Sequence, residues 1–287
     1  VKEAAMRLGI PVLELNPKDP QFLDKLAELR IDAAAVVAYG RILTQQVLDA
    51  VPMGWYNLHF SVLPQWRGAA PVQRALWQGD ENTGLTVFKI TAGMDSGPIV
   101  LQRTVRIEGR PTSGELLESL SLTGPELFVK AFEKLDDGTA TLTPQPDFAD
   151  DDHAYATKIT VEDAHADFAL PAEILDRHLR ACNPDPGAWC YLLGGGANTD
   201  DEKVLLRLNA TTPVEAKDPT LVSAMEMQGL ILSEMVPGSL IVSKKHVWAV
   251  CGLGLLELNN VTAQGKKPMR AADWARGARL GEDARLV

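Results

Sequence analysis

Strand-like and helix-like segments alternate through the first half of this chain, and that alternation restricts its fold more than any other feature. Apolar residues at helical spacing run from Val1 to Leu8 and stop at Gly9. A short strand is expected over Val12–Leu15, then a helix from Pro20 to about Arg30. Ala33–Ala38 is an uninterrupted apolar run, the pattern of a strand buried on both faces. Tyr39-Gly40-Arg41 makes a turn, Thr44 caps a short helix to Ala50, and Gly54–Leu58 reads as a second buried strand. A helix follows over Ala69–Gln78, with Pro71 tolerated in its first turn. Leu85–Ile90 and Pro98–Ile107 are strands, and Ser113 opens a long amphipathic helix that ends at Asp136-Asp137-Gly138. Alternation of this kind implies a largely parallel sheet with helices on both faces.

The rhythm changes at residues 139–158, which are rich in Thr, Pro and Asp and suit a linker. Asp150-Asp151-Asp152-His153 has metal-ligand residue types. Consecutive residues do not converge on one ion without a structured loop, so a solvated linker is the expectation. Beyond it, a helix over Pro171–Ala181 precedes short runs at Ala188–Leu193, Val204–Leu208, Gly229–Leu232, Ser239–Val242, Val247–Cys251 and Leu255–Val261. Close spacing with turn residues between them is the signature of a small β-barrel or sandwich. Gly194-Gly195-Gly196 lies between two of these strands and reads as a hairpin turn, not a phosphate loop. The boundaries are therefore 1–138, 139–158 and 159–287.

The chain's 287 residues suffice for two domains and a sizeable core. No stretch approaches the roughly 20 apolar residues of a membrane span, and no signal-peptide pattern opens the chain, so no membrane partner is expected. Cys182, Cys190 and Cys251 are odd in number and lack Cys-x-x-Cys spacing; they suit a reducing cytoplasm and core positions. A net charge of −10 argues against a surface that grips nucleic acid all over. It leaves room for a local patch: Lys266, Lys267, Arg270, Arg276, Arg279 and Arg285 crowd the C-terminal end. Taken alone, such a run is a solvated face. The chain opens on Val1 in mid-helix pattern with no N-cap, as expected of a chain that begins inside a βα unit of a longer protein.

The chemistry concentrates in two segments. Along the Gly54–Leu58 strand, side chains alternate faces, so Asn57 and His59 share one face while Leu58 points into packing. A hydrogen-bond donor and an imidazole thus stand together at a strand's C-terminal end, where open α/β sheets bind ligands. The second segment is Gly93-Met94-Asp95-Ser96-Gly97, either a simple turn or a carrier for a functional acid. Asp95 beside His59 would fix the ring's tautomer and favour its charged form. The trio suits acyl transfer by direct amine attack: Asn57 steadies the oxyanion, and His59 with Asp95 manages the amine's proton. A Ser96 nucleophile of the serine-protease kind is disfavoured, because those enzymes are all-β and carry a second Gly before the Pro.

Asn57-Leu58-His59-Phe60-Ser61-Val62-Leu63-Pro64-Gln65-Trp66-Arg67-Gly68, together with Gly93–Gly97, resembles the folate-dependent formyltransferases. The match continues through Gly68–Gly79, and Ala38-Tyr39-Gly40 is similar to the family's folate-site loop. Asn183–Trp189 and Gly265–Met269 resemble the C-terminal domain of members acting on initiator tRNA. The resemblance implies a Rossmann-like α/β domain with a mostly parallel sheet, a linker and an OB-like β-barrel. It implies formyl transfer from 10-formyltetrahydrofolate, with no metal, to the amino group of initiator methionyl-tRNA. By matching positions, Asn57, His59 and Asp95 would be catalytic. Ser61, Val62, Leu63 and Pro64, with Tyr39 and Gly40, would line the folate site. The barrel and the basic C-terminal run would meet the tRNA through its phosphates. A cytoplasmic monomer is expected.

Departures accompany the match. Asp185 stands where the family usually has Trp, Phe60 and Val62 are mild variations, and the family's opening strand, Gly-containing turn and loop toward the tRNA acceptor end have no counterpart here, so an N-terminal segment of roughly fifty residues is expected to be missing. Two other readings stay open: a formyltransferase for a nucleotide-sugar amine, and a folate- or RNA-binding fragment without turnover.

Overall fold

The computed structural model describes residues 1–40, 42–146, 153, 155–195 and 203–287. The chain divides into two compact units. One comprises Val1–Ala69, Gly84–Thr104 and Thr123–Tyr155, the other Ala70–Thr83, Val105–Leu122 and Ala156–Val287.

In the first unit, Asp19 caps a helix over Pro20–Leu29, its carboxylate accepting from Gln21 N at 3.1 Å. The helix stops at Arg30 in the left-handed conformation. The sheet runs in the order Ala33–Val37, Gly54–His59, Asn82–Lys89 and Ile99–Arg106. The first two strands pair in parallel, Ala33 opposite Gly54 and Val37 opposite Leu58, with the helix Gln45–Asp49 between them in sequence. Thr44 caps that helix as expected, accepting from Val47 N at 3.4 Å. Asn82–Lys89 runs antiparallel to Gly54–His59, so the sheet is mixed. Side chains of the central strand follow the expected alternation. Tyr56 packs edge-on against Phe132 at 5.7 Å, and Leu58 faces Gly124. A Cβ at Gly124 would lie 2.6 Å from Leu58 Cδ2, so the bare glycine lets helix Ser113–Asp136 approach the strand there.

Two expectations for this unit fail. Val12–Leu15 forms no strand: residues 10–16 have no regular structure and no sheet partner among the described residues. An apolar run alone does not make a strand, because the ladder needs a neighbour to bond to. Ala33–Val37 is a strand but is not buried on both faces. Ala34 is buried, whereas Val37 is 52 % exposed, and no second strand flanks it among the described residues.

In the second unit, helix Pro71–Gln78 packs on helix Ala172–Cys182 through a Trp77–His178 stack at 4.0 Å, with Arg74 over the Trp77 ring. The larger sheet runs Leu280–Leu286, Trp189–Gly195, Val204–Val214, Leu255–Ala263, Val247–Val250 and Leu240–Val242, with Met269–Arg270 beside Leu255–Ala263. Its two ends meet. Ser239 bridges Arg285, and Leu286 N donates to Gly238 O at 2.9 Å. Gly238 has φ +87°, and a Cβ there would fall 2.0 Å from Leu286 O, so only glycine permits this near-closure into a barrel. The Asn183–Trp189 motif is a fastening within this unit: Asn183 donates to Leu208 O at 2.7 Å and accepts from Ala188 N at 3.1 Å. All three cysteines are buried and unpaired, and burial pushes the thiols of Cys182 and Cys251 up to about 12.

Three further differences concern this unit. Gly229–Leu232 is not a strand. Asp218 caps an unexpected helix over Pro219–Gln228, and Gly229 ends it in the left-handed conformation. The basic C-terminal run contains a helix, Ala271–Ala278, and the strand Leu280–Leu286. Gly194 and Gly195 of the expected hairpin turn end the strand Trp189–Gly195, and Gly196 lies outside the described residues, as does Arg41 of the first unit's expected Tyr39–Arg41 turn.

Candidate active site

His59 ends the central strand of the first unit, buried against the edge of Phe88. Its Nε2 lies 2.8 Å from the carbonyl oxygen of Trp66. A carbonyl only accepts, so Nε2 carries the hydrogen and Nδ1 is left as the working nitrogen. Nδ1 stands 3.7 Å from Asp95 Oδ2. Burial lowers the imidazole pKa, against opposing pulls from the Asp95 charge and the Trp66 hydrogen bond. The ring is therefore neutral near pH 7, with an Nδ1 lone pair facing the carboxylate's neighbourhood. This differs from the sequence expectation in two respects. Trp66, not Asp95, sets the tautomer, and desolvation outweighs the carboxylate's preference for imidazolium.

Asp95 is reached by a tight loop, with φ at 45°, and Gly68 N donates to its Oδ2 at 2.8 Å. Asn57 is half-buried on the His59 face, and its side-chain amide makes no hydrogen bond among the described residues. The expected convergence of His59 and Asp95 is thus present in the geometry, with an uncommitted donor two residues upstream. Ser96 makes no hydrogen bond to His59 among the described residues, since the two ring nitrogens face Trp66 and Asp95.

The Ser61–Pro64 segment follows directly. Its shape depends on Thr86, whose hydroxyl donates to Ser61 O at 2.7 Å and accepts from Leu63 N and from Gln102 Nε2. Gln102 also donates to Leu63 O at 2.7 Å. Ser61 turns its own hydroxyl to Gln65 O, and Ser61 and Leu63 are buried, so these two side chains face inward. Val62 and Pro64 are half-buried. Tyr39 and Gly40 are exposed and extend past Val37, which pairs with Leu58. Parallel pairing brings them to the sheet end where His59 stands. Ala38, Trp66 and Asp95 are three of the five described non-glycine residues with positive φ. Backbone strain is concentrated around this site, as it is at many functional sites.

Several residues here escape a sequence reading. Thr86 and Gln102 sit in ordinary strand patterns. Arg67 is buried and bonds Gln145, and Trp66 N donates to His153 O at 2.6 Å while its ring meets the His153 imidazole at 5.0 Å. His153, expected in a solvated linker, is half-buried there. Asp150, Asp151 and Asp152 lie outside the described residues.

Comparison with known proteins adds the family. A formyl transferase model matches residues 13–132, and a formyl transferase C-terminal domain model matches residues 158–279. The chain belongs to the formyl transferase family. As a formyltransferase, it is 49 % identical to the methionyl-tRNA formyltransferase of Bifidobacterium longum (strain DJO10A), over 99 % of this chain and 84 % of that protein. It is 42 % identical to the enzyme of the same name from Streptomyces coelicolor, over 100 % and 84 %. Among solved structures, HypX from Aquifex aeolicus in complex with tetrahydrofolic acid aligns at a TM-score of 0.63 and 18 % identity, over 91 % of this chain and 41 % of that one. WlaRD, a sugar 3N-formyl transferase, aligns at 0.59 and 13 % identity, over 93 % and 82 %. These structural likenesses show a shared fold: a mixed sheet with helices, followed by a nearly closed antiparallel barrel. No described helix of this formyltransferase is long and apolar enough to cross a membrane.

Proposed function

We propose that the chain transfers a formyl group from 10-formyltetrahydrofolate to the α-amino group of methionine on initiator methionyl-tRNA, in the cytoplasm, for translation initiation. The observation that carries this reading is the 49 % identity, along nearly the whole chain, to a protein named methionyl-tRNA formyltransferase. The site's chemistry supports it. An unspoken-for Asn57 amide and a neutral His59 share one strand face. Exposed Tyr39 and Gly40 extend from the adjacent parallel strand end, which suits a ligand lying across the sheet's carboxyl end.

When bound, the folate supplies the formyl carbon. Asn57 donates a hydrogen bond to the oxygen that gains charge as the amine attacks, an effect worth roughly 10²–10³ in rate for one donor. His59 Nδ1 takes the proton that the amine loses, and Asp95 stabilises the resulting imidazolium. The same nitrogen then returns the proton to the leaving folate nitrogen, so the step balances without metal. Ser61, Val62, Leu63 and Pro64, with Tyr39 and Gly40, line the folate site in this reading. For Ser61 and Leu63 the lining must be backbone, since their side chains face inward.

Functionally, residues 1–138 would form the catalytic part, 139–158 the link and 159–287 the tRNA-binding barrel, acting as a monomer. Functional division need not follow the compact units, which interleave along the chain.

His59→Ala and Asp95→Ala should each lower kcat at least about 100-fold while changing folate affinity little. Near-normal turnover in either variant would remove its assigned role. The acceptor is tested by offering initiator methionyl-tRNA and an amino-sugar nucleotide side by side. Formylation of the sugar alone would replace this reading with the sugar-nucleotide one. Folate binding with no transfer to either acceptor would make the protein a binding module.

A further inference from the structure

Three consecutive residues, Trp66, Arg67 and Gly68, bear on both ionisable groups of the site. The first accepts from His59 and the third donates to Asp95. Arg67, between them, is 8 % exposed. Its Nε and Nη2 donate to Gln145 Oε1 at 3.0 and 2.8 Å, and Nη2 also donates to Pro146 O at 3.2 Å. The other end of Gln145 turns back to the loop. Its Nε2 donates to Asp95 O and to Gly97 O, both at 2.8 Å.

A glutamine amide has two N–H donors and two acceptor positions, and here all four are used. The orientation is unambiguous, since a flipped amide would set its NH₂ against the guanidinium and its oxygen against two carbonyls. The backbone it grips is a demanding one. Asp95 is held at positive φ. A Cβ at Gly97 would fall 1.7 Å from Lys89 O, so the loop can fold this closely only with glycine there. Gly68 N holds the carboxylate by one oxygen, but the loop backbone that carries it is held by Gln145.

We propose that Gln145, oriented by Arg67, is a positioning residue for formyl transfer: it holds the backbone at Asp95 and Gly97 so that the Asp95 carboxylate stands beside His59 Nδ1. The inference rests on the reading of His59 and Asp95 as the reacting pair. Gln145 itself acts only through Asp95.

The test compares Gln145→Glu, Gln145→Ala and Asp95→Ala in the full-length protein. Gln145→Glu keeps an acceptor for Arg67 and loses both N–H groups that hold the loop. Both Gln145 variants should lower kcat by about 10–100-fold, with KM for folate and tRNA moving less than about threefold. Gln145→Glu should melt above Gln145→Ala, because the buried guanidinium stays paired even though an oxygen now faces two carbonyls. An NMR titration of the His59 ring supplies a readout that a merely structural role would not move. In Gln145→Ala the loop backbone is released and only Gly68 N still meets the carboxylate, so Asp95 stands less firmly beside the ring and His59 should titrate at lower pH than in the wild type. Wild-type kcat in Gln145→Glu, or an unchanged His59 titration in Gln145→Ala, overturns the inference. A lowered melting temperature with both of those preserved does the same. If Asp95→Ala retains turnover, the reading of the pair fails and this inference falls with it. Loss of turnover in Asp95→Ala beside normal turnover in both Gln145 variants sinks this inference alone.

Discussion

His59 shows how one buried ring can be tuned by neighbours that pull in opposite directions. Burial lowers its pKa, while Asp95 and the Trp66 carbonyl raise it by less. His178 follows the same rule elsewhere. Burial lowers it, its Nε2 faces Asp163 O at 2.5 Å, and its buried Nδ1 has no hydrogen-bond partner among the described residues. Protonating either ring in the folded protein means charging a group that has little solvent. For a histidine depressed on folding, the unfolded chain binds more protons between the folded pKa and the ordinary value of about 6.5. Stability from these residues is therefore fully present above about pH 6.5 and declines as pH falls below it. Thermal melts between pH 7.5 and 5.5 should show that decline, and His178→Gln should flatten it whatever it does to the melting temperature at pH 7.5. An unchanged slope in the variant would mean that His178 contributes none of it. Glu115 and Asp163, whose carboxyls are lowered chiefly by backbone hydrogen bonds from Thr112 and Thr160, act at lower pH and do not confuse this window.

Elements were legible where their information is local. Pro20, Thr44 and Ser113 mark helix starts because caps and first-turn residues act within a few positions. The shared face of Asn57 and His59 follows from strand alternation alone. What failed depended on partners far along the chain. Val12–Leu15 has a strand's composition and no strand to pair with among the described residues. Leu230, Ile231 and Leu232 read as a strand, but Asp218 and Gly229 bracket a helix just before them, and Leu230 and Ile231 have no regular structure while Leu232 opens a single 3-10 turn, Leu232–Glu234. The site divides in the same way. His59 and Asp95 could be paired by chemistry, whereas Thr86, Gln102, Arg67 and Gln145 act through geometry that no short motif encodes. Thr86 shows how much such a residue can carry: one fully buried hydroxyl serves Ser61 O, Leu63 N and Gln102. Thr86→Val keeps the shape and strands those groups, so unfolding by urea should show a loss of about 1–3 kcal/mol. Thr86→Ser should recover much of it. Wild-type stability in Thr86→Val would remove the hydroxyl's role, and a loss confined to Thr86→Ser would assign the effect to methyl packing instead.

At the scale of the whole molecule, a chain of net charge −10 is proposed to hold a polyanion, which requires its positive charge to be local. The basic C-terminal run has this character once its elements are known. Ala271, Ala272, Trp274 and Ala275 are the buried face of a helix, and Ala284 and Leu286 face inward on the strand that nearly closes the barrel. The basic residues among them are the solvated sides of structural elements, so charge alone hid a helix and a strand. The charges are also unequal. Arg270 and Arg276 are both engaged by Asp273, and Arg276 reaches Lys244 O at 3.5 Å. Lys266 and Lys267 are exposed and make no ion pair among the described residues, and Lys244 and Lys245 are likewise exposed. Cations already paired to a carboxylate release fewer counterions from a phosphate backbone than free ones. Under the proposed function, Lys266→Ala with Lys267→Ala should therefore weaken tRNA binding more than Arg270→Ala does. Each lost phosphate contact should reduce the dependence of log K on log salt by roughly 0.7–0.9, giving a total change of about one to two for the lysine pair. Turnover at saturating tRNA should stay near normal, because neither lysine belongs to the first unit's site. If the double variant binds tRNA with the wild-type salt slope, the lysines are only a solvated face, and the acceptor must be gripped elsewhere on the barrel.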